Sequence, residues 1–284
     1  MHPTRTLPAI AAMLAAMAIF TANDTLMKQV AADLPPLQVI ALRGLFATLA
    51  LGLVVLFTDA RRHLSRLANP VMSLRSAIEF ISIVCFVTAL ARLPIADVIA
   101  LAQTAPLILL PLAALLFGER VGPLRWALVG AGFVGALLVT QPGGAGFDPL
   151  LLLALATACV QTFRDLISRR IASDIPSTIV GLSTVLVVAL LAGFACLFVP
   201  LEPVANWHWG YMAMSGTLLA AAHTFLFLAF RMAPASLVAP FGYSATLWAV
   251  LAGVLVFGDT PNGLAMVGIL VLTISGVVLA RVRS

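Results

Sequence analysis

The chain reads as long apolar runs separated by short polar connections. Asp, Glu, Lys and Arg are spaced so unevenly that ten stretches of at least twelve residues carry no charge, among them 98–118, 126–147, 175–201, 203–230, 232–258 and 260–280. A helix of about 20 apolar residues crosses the hydrocarbon of a bilayer. Lipid offers backbone groups no partners, so a crossing segment is either a helix or part of a closed barrel. Continuous Leu, Ala, Val and Gly runs lack the alternation of a barrel strand. The pattern predicts an all-α integral membrane protein with about ten transmembrane helices. Numbered one to ten, the spans are predicted at 7–27, 37–57, 75–92, 95–117, 124–141, 149–168, 177–199, 209–230, 236–257 and 263–280.

Composition excludes a soluble domain: 62% of the 284 residues are apolar and 10% are charged, against about a quarter charged in soluble proteins. The net charge of +5 would raise the question of nucleic acid in a soluble chain. Here the arginines flank apolar spans, so they orient the protein in lipid and no nucleic-acid partner is expected. With the N-terminus in the cytosol, Arg5, Arg61, Arg62, Arg66, Arg75, Arg120, Arg125, Arg169, Arg170, Arg231, Arg281 and Arg283 lie inside, and only Lys28 and Arg92 lie outside. This bias predicts a multi-pass protein with both termini cytosolic. Trp207, Trp209 and Tyr211 are expected as an outer aromatic anchor. Cys85, Cys159 and Cys196 fall in apolar segments without metal-ligand or disulfide spacing, and are read as packing residues. The first run passes into Asn23 and Asp24 without a small-residue cleavage pattern, so no removable signal peptide is expected. Phosphate-cradling and ATPase motifs are absent from the sequence, and no metal or cofactor is called for.

An internal repeat organises the chain. Asp24, Lys28, Asp33 and Pro35 match Asp165, Arg169, Asp174 and Pro176 at an offset of 141, and Pro94, Val98, Phe117, Gly118 and Glu119 match Pro234, Val238, Phe257, Gly258 and Asp259 at an offset of 140. The expected units are 1–141 and 142–284. Five spans is an odd number, so the second unit enters the membrane upside down. Two inverted five-helix repeats around a central cavity are typical of secondary transporters.

With these motifs the chain resembles the drug/metabolite transporter superfamily, in its ten-span exporter branch. The resemblance rests on an Arg-Leu-Pro or Arg-Met-Ala-Pro turn (Arg92 to Pro94, Arg231 to Pro234) and a helix of about 20 residues. Phe-Gly-Glu-Arg (Phe117 to Arg120) or Phe-Gly-Asp (Phe257 to Asp259) follows, then a Gly-rich helix. It covers almost the whole chain and is nearest to bacterial exporters of aromatic and other amino acids. It implies a cytoplasmic (inner) membrane location and a helical basket around a cavity, with inner helices from spans one, three, four, six, eight and nine.

Polar residues deep in apolar runs are the candidate site. Gln103 sits mid-span in span four and Tyr243 holds the equivalent place in span nine; each would be costly facing lipid. Either they bond a neighbouring helix or, as we favour, they contact substrate across the pseudo-twofold axis. His223, mid-span in span eight, is a substrate ligand, a proton relay or an interhelical bond, because imidazole titrates near neutrality. Glu79, about one turn into span three, snorkels to water, pairs with Arg75 at i−4, or closes the cavity. Asn23 lies beside Asp24. Asp24 with Lys28, and Asp165 with Arg169, are i,i+4 pairs at opposite faces, read either as solvated staples or as gate residues that trade partners. Arg43 needs a carboxylate such as Asp24 or Asp97, a route to the interface, or a substrate carboxylate. Met13, Met17, Phe20, Asp24 and Met27 form one stripe on span one, either packing or an adaptable cavity wall. Trp248 lies off the Tyr243 face and is expected toward lipid. Pro106, Pro111 and Pro240 each remove a backbone bond inside a span, as hinges or as ordinary membrane prolines.

The reading is an exporter of amino acids or similar small metabolites, working by alternating access. An intramembrane enzyme would use Asp24, His223 or Glu79, but the chain has no paired catalytic motif or nucleophile elbow, so no catalytic residue is named. A channel would need a ring of charges or a carbonyl filter, and neither motif occurs. The arginine bias yields one prediction. In a cysteine-free background, a cysteine at Ser65 should react with an impermeant maleimide only after cells are permeabilised; labelling of intact cells would reverse the topology.

Overall fold

The computed structural model describes residues 6–117, 122–141, 148–168, 170–172 and 174–281. Every regular element among them is helical, and ten helices are long and apolar enough to cross a membrane. Seven spans are single helices: Thr6–Val30, Pro36–Leu56, Pro70–Leu90, Pro123–Thr140, Leu151–Ser168, Asn206–Met232 and Gly263–Arg281, which are spans one, two, three, five, six, eight and ten. Span seven, Ser177–Phe198, ends in a short 3-10 turn. Prolines mark the starts. Pro36, Pro70 and Pro123 stand in the first helical turn, where a missing N–H costs nothing because that group has no intrahelical partner.

Two spans are broken. Span four is the helix Ile95–Ala102, a turn at Gln103 and Thr104, and the helix Ala105–Phe117. Span nine passes from Ala235–Val238 through a 3-10 stretch, Ala239–Tyr243, to Ser244–Ala252 and a π turn, Gly253–Phe257. Pro106 and Pro240 sit at these breaks, while Pro111 lies inside a continuous helix. Gln103 and Tyr243 occupy equivalent places in the two interruptions.

The packing pairs span one with eight, two with seven and eight, three with six and seven, and five with ten. Spans one with nine, four with six, and four with nine also touch. Exchanging each span for the one five places later leaves this set of pairs unchanged. Small residues let the helices approach closely, as lipid-embedded interfaces require. Gly135 meets Gly268 where spans five and ten cross, Gly44 meets Ala189 between spans two and seven, and Gly216 lies against the Arg43–Ala47 backbone. The outer surface carries large apolar side chains such as Leu45, Leu49, Leu53 and Leu56, one stripe on span two that suits lipid contact.

Span three starts earlier than the charge pattern suggests. Asn69 caps it by accepting from the Val71 and Met72 amides at 2.9 and 3.3 Å, so Glu79 sits near mid-span rather than one turn in. Trp207, Trp209 and Tyr211 stand in the first turns of span eight, with Trp207 edge-on to Tyr211.

The close helix crossings are testable. A Cβ on Gly216 would come 2.6 Å from the Ala47 nitrogen and 2.9 Å from the Arg43 carbonyl, whereas one on Gly210 of the same helix meets nothing within 4 Å. Gly216→Ala should cost about 1–3 kcal/mol through overpacking and lower the melting temperature in detergent. Gly210→Ala should leave it unchanged or slightly raised.

Candidate functional site: a polar cavity at the broken spans

A cavity of about 450 Å³ lies among spans one, two, three, four, six, seven, eight and nine. Spans two and seven therefore add Arg43, Gly44, Thr184, Val185 and Val188 to the wall, beyond the six inner helices that the superfamily resemblance implies. Apolar side chains, among them Met17, Phe20, Ile83, Phe86 and Leu226, share this wall with charged and amide groups. Gln103 explains part of the arrangement. It ends the first segment of span four, and its Nε2 donates to the Gly242 carbonyl of the span nine break at 3.0 Å. One interruption is thus tied to the other, as irregular backbone at membrane depth requires.

Two polar networks face the cavity. In the first, fully buried Ser215 donates to Asn23 Oδ1 at 2.7 Å, and Asn23 Nδ2 donates to Asp24 Oδ1 at 2.8 Å. Arg43 lies nearby, with Nη1 donating to Met27 Sδ at 3.0 Å. In the second, Arg164 pairs with Glu79 at 2.6 Å and with Asp165 at 2.8 Å. Arg75 donates to Ser168 and Thr184 hydroxyls at 2.9 and 2.7 Å. Of the alternatives open for Glu79, the i−4 pair with Arg75 does not form: Glu79 pairs with Arg164 from span six and Arg75 turns to hydroxyls. Gln161 adds an amide to the wall.

His223 lines the cavity; its Nδ1 donates to the Leu219 carbonyl at 2.8 Å and its ring meets Phe20 edge-on. With Nδ1 donating, a neutral ring leaves Nε2 as an acceptor. Tyr243 goes elsewhere. Its ring packs against Gly276 of span ten, its hydroxyl is buried without a partner, and it is not part of this cavity's wall. The buried ring occupies the space that a side chain at Gly276 would fill. Of the span one stripe, Met17, Phe20 and Asp24 reach the cavity, while Met13 and Met27 pack in apolar clusters. Trp248 lies exposed on the outer surface.

The i,i+4 pair of Asp24 and Lys28 does not form. Span one continues to Val30, and Lys28 donates instead to the Leu93 carbonyl, bridges to Asp259 at 3.7 Å and lies 5.0 Å from the centre of the Phe257 ring. Asp165 is held by Arg164, and Arg169 lies outside the described residues. Sequence reasoning passed over Arg164, Gln161, Thr184 and Ser215. Arg164 carried a usable signal, since a charge left inside a span marks a polar interior.

A crystal structure of a protein 23% identical to this chain superposes with a TM-score of 0.65, covering 99% of this chain and 98% of the other, which supports the fold. A riboflavin transporter of Rhizobium johnstonii is 35% identical over 214 residues, 73% of this chain and 66% of that protein's length. A pseudopaline exporter of Pseudomonas aeruginosa is 25% identical over 279 residues, 95% of this chain and 96% of the other. An S-adenosylmethionine uptake transporter of Rickettsia felis is 23% identical over 253 residues, 85% and 82% of the two chains. The description of one transporter family matches twice, at residues 7–141 and again at 149–281. Ten apolar helices and this double match together place the chain in the EamA-like transporter family, within the drug/metabolite transporter superfamily.

Proposed function

We propose that the protein is a secondary transporter that exports amino acids, aromatic and other neutral ones among them, or similar small metabolites from the cytosol by alternating access. The observation that carries this reading is the meeting of two broken spans at a polar cavity in the middle of the bundle. Discontinuous helices expose backbone and polar side chains to a solute at the membrane centre. The wall combines Met and Phe surface with Gln103, Asn23, His223 and paired charges, which suits a molecule with an apolar body and polar ends. The repeat units 1–141 and 142–284, related by inversion, supply the motion. Exchange symmetry in the helix pairing supports that relation, because two halves that can trade conformations open one site to alternate sides. The relatives named for transport of riboflavin, pseudopaline and S-adenosylmethionine support a membrane transporter of small molecules. Both termini are taken as cytosolic on the arginine bias, and the membrane as the bacterial inner one on the family resemblance.

Lys28, Asp259 and the Leu93 carbonyl tie span one to the turns before span four and after span nine, at the end read as external. In this reading the tie holds the outer side closed and must break for release.

The experiment is counterflow in proteoliposomes against a panel of amino acids, at two proton gradients. Gln103→Leu removes the bond to Gly242 and a polar wall group at nearly constant volume, so transport should fall about tenfold or more, and the unpaired Gly242 carbonyl should cost about 1–3 kcal/mol of stability without preventing folding. Tyr243→Phe removes a hydroxyl that has no partner, so transport should stay within about twofold of wild type. Equal loss in both variants would return Tyr243 to the substrate site. Lys28→Gln should raise external maleimide labelling of a cysteine at Thr260, and unchanged labelling would remove Lys28 from the gate.

A further inference from the structure

The two polar networks beside the cavity correspond to one another through the repeat, and they differ in one respect. At the offset of 141, Asn23, Asp24 and Arg43 fall on Arg164, Asp165 and Thr184; at 140, Arg75 falls on Ser215. The second network is closed. Arg164 has two carboxylates, and Arg75 has two hydroxyls. The first network keeps an open charge. Arg43 is only 6% exposed, yet its Nε has no hydrogen-bond partner and its Nη1 has only the sulfur of Met27. A thioether is a weak acceptor. Among the described residues no carboxylate oxygen comes within 4.0 Å of this guanidinium. Asp24 and Glu79 act on Arg43 only at a distance, while one Asp24 oxygen takes the Asn23 amide and Glu79 pairs with Arg164.

A guanidinium inside a span with no ionic contact is costly, and such a group usually faces a partner or a water-filled path. Arg43 faces the cavity. A guanidinium offers a planar fork of donors that matches a carboxylate in two parallel bonds. We propose that Arg43 is the anchor for the carboxylate of the transported molecule, an inference that rests on the transport reading above. The substrate class is then a small organic acid or α-amino acid. Its acid group takes Arg43 and its apolar body takes the Met17, Phe20 and Phe86 side of the wall. Thr184 at the equivalent position explains why the second network offers no such seat, since its hydroxyl already receives Arg75.

The test uses the full chain in proteoliposomes with four probes: L-phenylalanine, 3-phenylpropionate and the primary amide of each. The amides keep size and shape and lose the negative charge. The expected result is counterflow of at least one acid, with its amide at least about tenfold weaker. Arg43→Gln should raise the half-saturating concentration of that acid about ten- to a hundredfold and erase the preference over the amide. Arg43→Lys should recover part of it by keeping the charge and losing the fork. In detergent, the acid should raise the melting temperature of the wild type, the amide should not, and Arg43→Gln should abolish the difference. If Arg43→Gln fails to fold, the wild-type and Arg43→Lys comparisons still decide. Equal handling of acid and amide by the wild type, or a preserved preference in Arg43→Gln, overturns the anchor and leaves the transport reading standing. If neither these probes nor the amino-acid panel crosses, the amino-acid export reading itself falls, a result distinct from loss of the anchor alone.

Discussion

Hydrocarbon has no hydrogen-bond partners to give, so any backbone that leaves the helical pattern at membrane depth must be satisfied inside the protein. This constraint organises the molecule. Spans four and nine both lose their helix partway across, and each would be intolerable facing lipid. The bundle brings the two interruptions together and joins them by the Gln103 side chain to the Gly242 carbonyl. The other spans that touch this region supply amides, hydroxyls and charges, and the result is a cavity. A polar cavity and a backbone requirement thus share one location.

The charges obey the same constraint by pairing. Arg164 joins Glu79 across spans three and six and holds Asp165 on its own helix. Arg75 is absorbed by hydroxyls of spans six and seven. On the other side of the repeat relation, Asn23, Asp24 and Ser215 join spans one and eight, and Arg43 from span two is left with a sulfur. Networks of this density favour one arrangement of the helices around the cavity, because a partly satisfied polar interior is worse than an apolar one. Away from the cavity the opposite chemistry holds. Spans five and ten meet through Gly135 and Gly268, and the outward faces carry leucines, so close packing and lipid contact replace polar bonding.

Much of this was legible in the residues. Apolar runs bounded by charges placed ten spans, because the solvent of the bilayer acts on every residue of a run and needs no knowledge of neighbours. Pro106 and Pro240 stood out inside spans for the same local reason and lie at the breaks, whereas Pro111, equally conspicuous, lies in a continuous helix. Motif duplication at 140 and 141 pointed to the family, and Gln103 and His223 stood out as polar groups deep in apolar sequence, while Glu79 was placed only about one turn in and lies near mid-span.

Partnership was another matter. Spacing along one helix suggested Asp24 with Lys28 and Glu79 with Arg75, yet Lys28 meets Asp259 and Glu79 meets Arg164, 85 residues away. Tyr243 and Gln103 occupy equivalent positions, but only Gln103 faces the cavity, because Gly276 offers the tyrosine ring a space on the far side. Which residues are buried in the membrane follows from the sequence, since transfer from water to lipid is summed over each segment alone. Which of them face one another depends on the rotation of each helix and on the neighbour it packs against, and only the tertiary structure decides that.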